Sequence, residues 1–419
     1  MSREESLSDR VNLLDTRQHR DGRESVFEEQ ILISSILLLL CVLVSKISHR
    51  VGIPVLLCFL GIGMLAGSDG PGGIYFDNAA LAQSIGIVAL TLILFSGGLD
   101  TQWQAVRPVV WSALSLATIG VLLTTVLVGL AAIFLLHVSL LEGMLLGAII
   151  SSTDAAAVFS VLQTSKIRLR ERLTSLLELE SGCNDPMAVF LTLDLTILLT
   201  TPHASVASLV LLFFKEMGIG ALCGLLIGKG ASLLIPRLHL EVEGLYPVLT
   251  IALALFVYGL TAVLGGSGFL AVYLAGMVLG STLKEVRALN RFHDGLAWLM
   301  QIALFITLGL FVFPSHLPPI IISGLLLAGF LIFVARPVSV LISLVFDRMS
   351  IGEKLFVSWM GLRGAVPIVL ATFPLLAGFS KASLFFNLIF FIVLTSVLLQ
   401  GLSLTPVAKL LGVIVPPVE

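Results

Sequence analysis

The chain has 419 residues, 57% of them hydrophobic and 12% charged, with a net charge of −2. At a mean hydropathy of +1.08 it has too little polar surface for a water-soluble globule of this size, which places it in a lipid bilayer. Its long apolar runs, without the alternating pattern of a transmembrane barrel, predict helices that each cross a hydrocarbon layer of about 30 Å.

Residues 1–30 hold five arginines and eight acidic residues with little apolar clustering and read as a hydrophilic, solvated segment. So charged a lead, with no small-residue cleavage site behind the apolar run that follows, argues against a signal peptide and keeps 31–48 as the first span. Further spans are predicted at 51–67, 81–98, 109–136, 140–162, 174–199, 206–235, 245–264, 267–281, 294–313, 319–346, 355–375 and 383–404. The fold class is therefore an all-α polytopic membrane protein with about thirteen transmembrane helices. The four cysteines, Cys41, Cys58, Cys183 and Cys223, all fall inside apolar runs, which fits packing better than disulfides or a metal centre. Nothing in the sequence calls for a cofactor or a nucleic-acid partner.

Lys and Arg collect in loops on the cytoplasmic side of a membrane. One set of ends carries Lys46 and Arg50, Arg107, Lys166 with Arg168, Arg170 and Arg172, Arg237, Lys284 with Arg287 and Arg291, Arg348 with Lys354, and Lys409. The opposite loops, at 68–80, 137–139, 200–205, 265–266 and 314–318, have none, and only Lys381 breaks the pattern. This predicts an outside amino terminus and a cytoplasmic carboxyl terminus, with the five early arginines as a counterweight.

The fifth and twelfth spans are both interrupted, by Ser151-Ser152-Thr153-Asp154 and by Gly361-Leu362-Arg363-Gly364 with Pro367. Seven spans apart, they cross in opposite directions, as an inverted repeat requires, and paired broken helices point to a substrate site at the midplane. Spans four to six would mirror spans eleven to thirteen.

Glu180-Ser181-Gly182-Cys183-Asn184-Asp185-Pro186 puts two carboxylates inside the sixth span. Asp185 lies about eleven residues in, roughly 16 Å deep. A carboxylate taken out of water at that depth is costly unless a proton or a cation neutralises it, so one group can serve two ligands in turn. Ser181, four residues earlier, shares its face and offers a hydroxyl ligand, or else a small residue at a tight helix crossing. Asn184 is uncharged, so only one of the adjacent pair titrates. Pro186 removes a backbone donor and should loosen the helix beside the site. Glu180 is about 140° of arc from Asp185 and is expected to form an ion pair with Arg336 or Arg363, the two basic residues well inside late spans. Arg363 is also placed to offset half-helix dipoles or the charge of Asp154. Thr153 and Asp154 sit where a broken helix frees carbonyls for a cation, with a plain N-cap as the alternative for Asp154. Glu178 is placed either in an entry funnel or at a solvated helix end, while Glu142, Asp194 and Glu216 read as the polar ends of their spans.

The stretches TDAAAVFSVL (153–162), ESGCNDPMAVFLT (180–192), ARPVSV (335–340) and GLRGAVP (361–367) resemble the bacterial NhaP-type branch of the monovalent cation:proton antiporter family, nearest its potassium/proton members. The likeness runs from Ile31 to the end. It implies an inverted-repeat homodimer in the bacterial inner membrane that exchanges K⁺ or Na⁺ for H⁺ in pH homeostasis. A core (106–200 and 319–410) would move like an elevator past a dimerisation scaffold (31–105 and 245–313), with 206–240 as linker and 411–419 as a short tail. Cation and proton would bind at Asp185, with Thr153, Ser181 and the Asp154 region completing the site, and Glu180 would pair with Arg336. Asn before the key Asp accompanies electroneutral exchange in that family. Two departures stand out. Ser96, in Phe95-Ser96-Gly97-Gly98, cannot supply the carboxylate that many relatives carry in the third span. Relatives also often continue into a cytosolic regulatory domain after Pro-Pro-Val, which leaves this chain as either cut before such a domain or a short member.

Two other readings compete. Gly265-Gly266-Ser267-Gly268 fits the nucleophile pattern of an intramembrane serine protease, which needs a buried histidine near Ser267. A passive cation channel needs a continuous lining, and the paired broken helices favour an exchanger over it.

Overall fold

The computed structural model describes residues 28–48, 54–165, 167–201, 206–282 and 286–414. Most of the predicted lead-in (1–27), the orienting residues Arg50, Lys166 and Lys284, and 415–419 of the tail lie outside the described residues. Those described are almost wholly helical, with isolated bridges at Gly67–Ile74 and Leu169–Ile414 as the only pairing of extended backbone. In chain order the helices are α1 (Glu28–Ser48), α2 (Val55–Ala66), α3 (Ala79–Asp100) and α4 (Trp103–Leu136). Next come α5 (Leu140–Ile149), α6 (Ala155–Thr164), α7 (Glu171–Thr200), α8 (Val206–Leu234), α9 (Leu245–Val263) and α10 (Gly268–Thr282). The last are α11 (Val286–Phe311), α12 (Pro314–Ser343), α13 (Ile351–Trp359), α14 (Val366–Leu376) and α15 (Ala382–Leu410). With α5–α6 and α13–α14 each counted as one broken span, the described helices make the thirteen spans predicted.

Both broken spans start on the same device. Ser139 and Glu142 form a reciprocal capping box at the head of α5, and Ser350 and Glu353 form one at the head of α13, so the first orphan backbone donors are satisfied. Each glutamate then takes a cation from the residue just ahead of a long helix in the other half. Lys381 Nζ lies 2.8 Å from Glu142, and Arg170 Nη1 lies 2.9 Å from Glu353. Lys381, the basic residue that broke the loop pattern, thus has its charge taken up at a helix head. The spans ahead of these units also match: α4 and α12 each contain a π-turn, Leu116–Gly120 and Leu331–Ala335. They touch at Thr124 and Ser339, whose hydroxyls are 3.1 Å apart.

Elsewhere the helices approach through glycine. An added methyl on Gly220, Gly224 or Gly228 of α8 would come 2.8, 2.5 or 2.9 Å from the backbone of Ser267, Ala271 or Ala275 on α10. On the other side of α10, Gly276 and Gly280 lie against Phe95, Gly98 and Leu99 of α3. Backbone-to-backbone contact of this kind is how helices in lipid gain van der Waals attraction, and it makes α3, α10 and α8 one closely fitted group.

Candidate functional site

The two breaks meet. The Asp154 N–H donates to the carbonyl of Leu362 at 2.8 Å, joining the first break directly to the second. Arg363, fully buried, donates through Nη1 to the carbonyls of Ser151 and Ser152, both at 2.6 Å, so its charge sits at the carboxyl-terminal end of α5 where the helix dipole is negative. A network behind it fixes the second break. The Arg363 N–H donates to Ser396 Oγ at 3.1 Å, Ser396 donates to Gln400 at 2.5 Å, and Gln400 donates to the Trp359 carbonyl at 2.8 Å.

Asp185 projects from α7 onto the first break. Its Oδ1 accepts from Ser152 Oγ at 2.5 Å, and only 7% of the residue is exposed. One turn back, Ser181 Oγ donates to the Thr153 carbonyl at 3.0 Å and accepts from the Ala155 N–H at 3.2 Å, while Asn184 Nδ2 donates to Thr153 Oγ1 at 2.5 Å. Asp154 caps α6, accepting from the Ala157 N–H at 2.9 Å, with its carboxylate against Gly364. Pro186 does not interrupt α7, which runs unbroken through it, but without a proline N–H the Gly182 carbonyl has no donor four residues on.

The neighbouring ions are paired away from Asp185. Glu180, 1% exposed, is 2.5 Å from Arg336, itself 3% exposed and placed immediately after the π-turn of α12. Of the two arginines left open by the sequence, Arg336 holds Glu180 and Arg363 holds the helix-end carbonyls. Among the described residues no basic side chain pairs with Asp185. Asp154, Ser181 and Asp185 line a cavity of about 560 Å³ that also touches Glu178, Asp100 and Arg168, so it opens toward the basic ends of the helices. Hard oxygen ligands around an unneutralised carboxylate suit a monovalent cation or a proton.

Residues 35–410 match the family described as "Sodium/hydrogen exchanger, transmembrane". The chain belongs to this family. Among curated exchangers, the K(+)/H(+) antiporter NhaP of Alkalimonas amylolytica is 47% identical over 387 residues, covering 92% of this chain and 67% of that protein. The K(+)/H(+) antiporter NhaP2 of Shewanella sp. (strain ANA-3) is 46% identical over 392 residues, with the same coverage of 92% and 67%. Among solved exchangers, the sodium proton antiporter MjNhaP1 from Methanocaldococcus jannaschii at pH 8 superposes with a TM-score of 0.78 at 26% identity, covering 90% of this chain and 97% of that one.

Several residues of this exchanger read differently in three dimensions. Ser267 accepts from the Leu270 N–H at 3.4 Å, capping α10, and the buried His293 is bonded instead to Thr250 at 2.8 Å, so the protease reading falls. Asp194 is not a solvent-facing polar end of its span: it is 3% exposed, with its Oδ2 unbonded, six residues before the end of α7 at Thr200. Glu142 does stand at a helix head, while Glu216 lies inside α8, where its carbonyl accepts from the Ser267 N–H at 2.9 Å. Glu178 lines the cavity. Asp100 and Tyr273 also line it and were not anticipated. Asp100 follows Ser96 by one turn of α3, and that spacing was the signal available for it.

Proposed function

We propose that the chain is a secondary antiporter exchanging K⁺, or Na⁺, for H⁺ across the bacterial inner membrane, with cation and proton competing for Asp185. The observation that carries this reading is a buried carboxylate at the crossing of two broken helices, open to one side and without a basic partner among the described residues, while the two buried arginines, Arg336 and Arg363, are engaged elsewhere. Burying such a charge is costly, so it must be compensated by a proton or a metal ion, and occupancy by either excludes the other. Ser181, Thr153 and Asn184 add neutral oxygens, and Asp154 shapes the break beside them. With Asn184 uncharged, only one of the adjacent pair can carry a proton, and one charge exchanged for one charge makes the cycle electroneutral.

We further infer a core of 106–200 and 319–410 that moves past a scaffold of 31–105 and 245–313, with 206–240 as linker, in a homodimer. On this reading the basic helix ends face the cytoplasm and the cavity is the inward-facing access. The test is exchange in everted vesicles: adding K⁺ or Na⁺ should dequench a proton-sensitive dye, Asp185→Asn should abolish the response, and an imposed membrane potential should leave the rate nearly unchanged. Persistent exchange in Asp185→Asn refutes competition at this residue, and a strong voltage dependence refutes electroneutrality.

A further inference from the structure

Tyr273 is mounted on α10, the helix fitted by backbone contact between α3 and α8, and reaches across to the helix that carries Asp185. Its ring lies over Gly182, so closely that a methyl at Gly182 would overlap the ring carbons. Its hydroxyl donates to the Glu178 carbonyl at 3.4 Å and shares a hydrogen bond with Thr101 Oγ1 at 3.2 Å. Tyr273 is 2% exposed and Thr101 is 1% exposed, yet both border the cavity. Gly182 and Glu178 stand on the cavity side of α7, one and two turns before Asp185. A rigid group of helices therefore grips the ion-carrying helix at a notch that only glycine leaves open, through a polar contact as well as a ring.

We propose that Tyr273 is a positioning residue that holds α7 in the setting where Asp185 faces the cavity, and so biases the cycle toward that side. The inference rests on the reading that Asp185 is exposed alternately to the two sides. When the helix moves, the ring must leave the Gly182 notch and the hydroxyl must leave the Glu178 carbonyl. A contact present in one state and absent in the other shifts the populations by its own differential free energy, and apparent affinity on each side scales with the fraction of protein facing that side.

The full chain reconstituted in proteoliposomes, with a proton-sensitive dye and K⁺ or Na⁺ added to either side, gives an apparent KM for each face. Tyr273→Phe keeps the ring and removes the hydroxyl. The ratio of cavity-side KM to opposite-side KM should rise about two- to tenfold, the range expected for one hydrogen bond. Gly182→Ala, which expels the ring, should move the same ratio further in the same direction. Thr101→Val, which removes the supporting hydroxyl, should move it less. A ratio unchanged in Tyr273→Phe, or both KM values moving together by one factor, overturns the inference. Loss of exchange in the unsubstituted chain would sink the antiport reading instead, which keeps the two failures apart.

Discussion

The unit built from α5, α6 and α7 and the unit built from α13, α14 and α15 share one design. Ser152 and Arg363 are 211 residues apart, and the same offset takes Ser139 to Ser350, Glu142 to Glu353, Arg170 to Lys381 and Asp185 to Ser396. Capping boxes, end ion pairs and the bond from a break to the following long helix occur in both, as Ser152 to Asp185 in one and Arg363 to Ser396 in the other. The units differ in charge. At the equivalent positions the first puts a hydroxyl, Ser152, and an acid, Asp185, while the second puts a fixed guanidinium, Arg363, and a hydroxyl, Ser396. The shared parts build the crossing, and the unshared ones divide the labour. A permanent cation settles the buried carbonyls of the interrupted helix end, which leaves the acid of the other copy for an exchangeable ion.

The largest effect should separate the two equivalent positions. Asp185→Asn removes all cation-driven proton movement in vesicles, whereas Ser396→Ala, which loses only a hydroxyl, leaves a measurable rate; equal loss at both would mean that the second unit carries chemistry too. Next comes the buried pair. Removing one partner by Glu180→Gln or Arg336→Met leaves an uncompensated charge and should cost about 3–5 kcal/mol of stability, read as a lower Tm in detergent. A melting curve unchanged by either would show that the pair does not hold the fold. Thr153→Val deletes the acceptor that Asn184 uses and should weaken apparent cation affinity about fivefold, the value of one hydrogen bond, with an unshifted titration counting against Thr153 as part of the site. The end ion pairs should matter least. Lys381 and Arg170 are 41% and 54% exposed, so Lys381→Met and Arg170→Met should each cost about 0.2–1 kcal/mol, and by similar amounts if the two units are mechanically equivalent.

Much of the architecture was readable in one dimension, because hydropathy, loop charge and the two interruptions are local signals. The thirteen spans and the two breaks are near the predicted places, except that the fourth span begins at Trp103, because a short turn through Pro108 continues into it, and the tenth begins at Val286, eight residues before the predicted start. Asp185 stands out in the sequence because a carboxylate amid apolar residues is anomalous on sight. Which arginine serves Glu180 was not readable, since both lie at plausible depth and the choice depends on a helix rotation set by packing. Tyr273 was hidden for a related reason. Its partners, Gly182 and Thr101, are far away in the chain, and the only local hint is a glycine in the middle of an otherwise functional motif. Asp194 reads as a polar span end yet is buried, because nearness to a helix end in sequence is not exposure, and Leu195 and Thr196 just beyond it are buried as well.

The two end ion pairs stand at opposite ends of the bundle, one beside the basic loops and one beside the loops that lack arginine. Ions in solution screen partly exposed charges over roughly 10 Å at about 0.1 M salt, much less than the thickness of a bilayer. Each aqueous compartment therefore reaches one clasp only. A rise in salt on one side of the bilayer would loosen the clasp on that side and leave the other as it was, before any ion had entered the cavity.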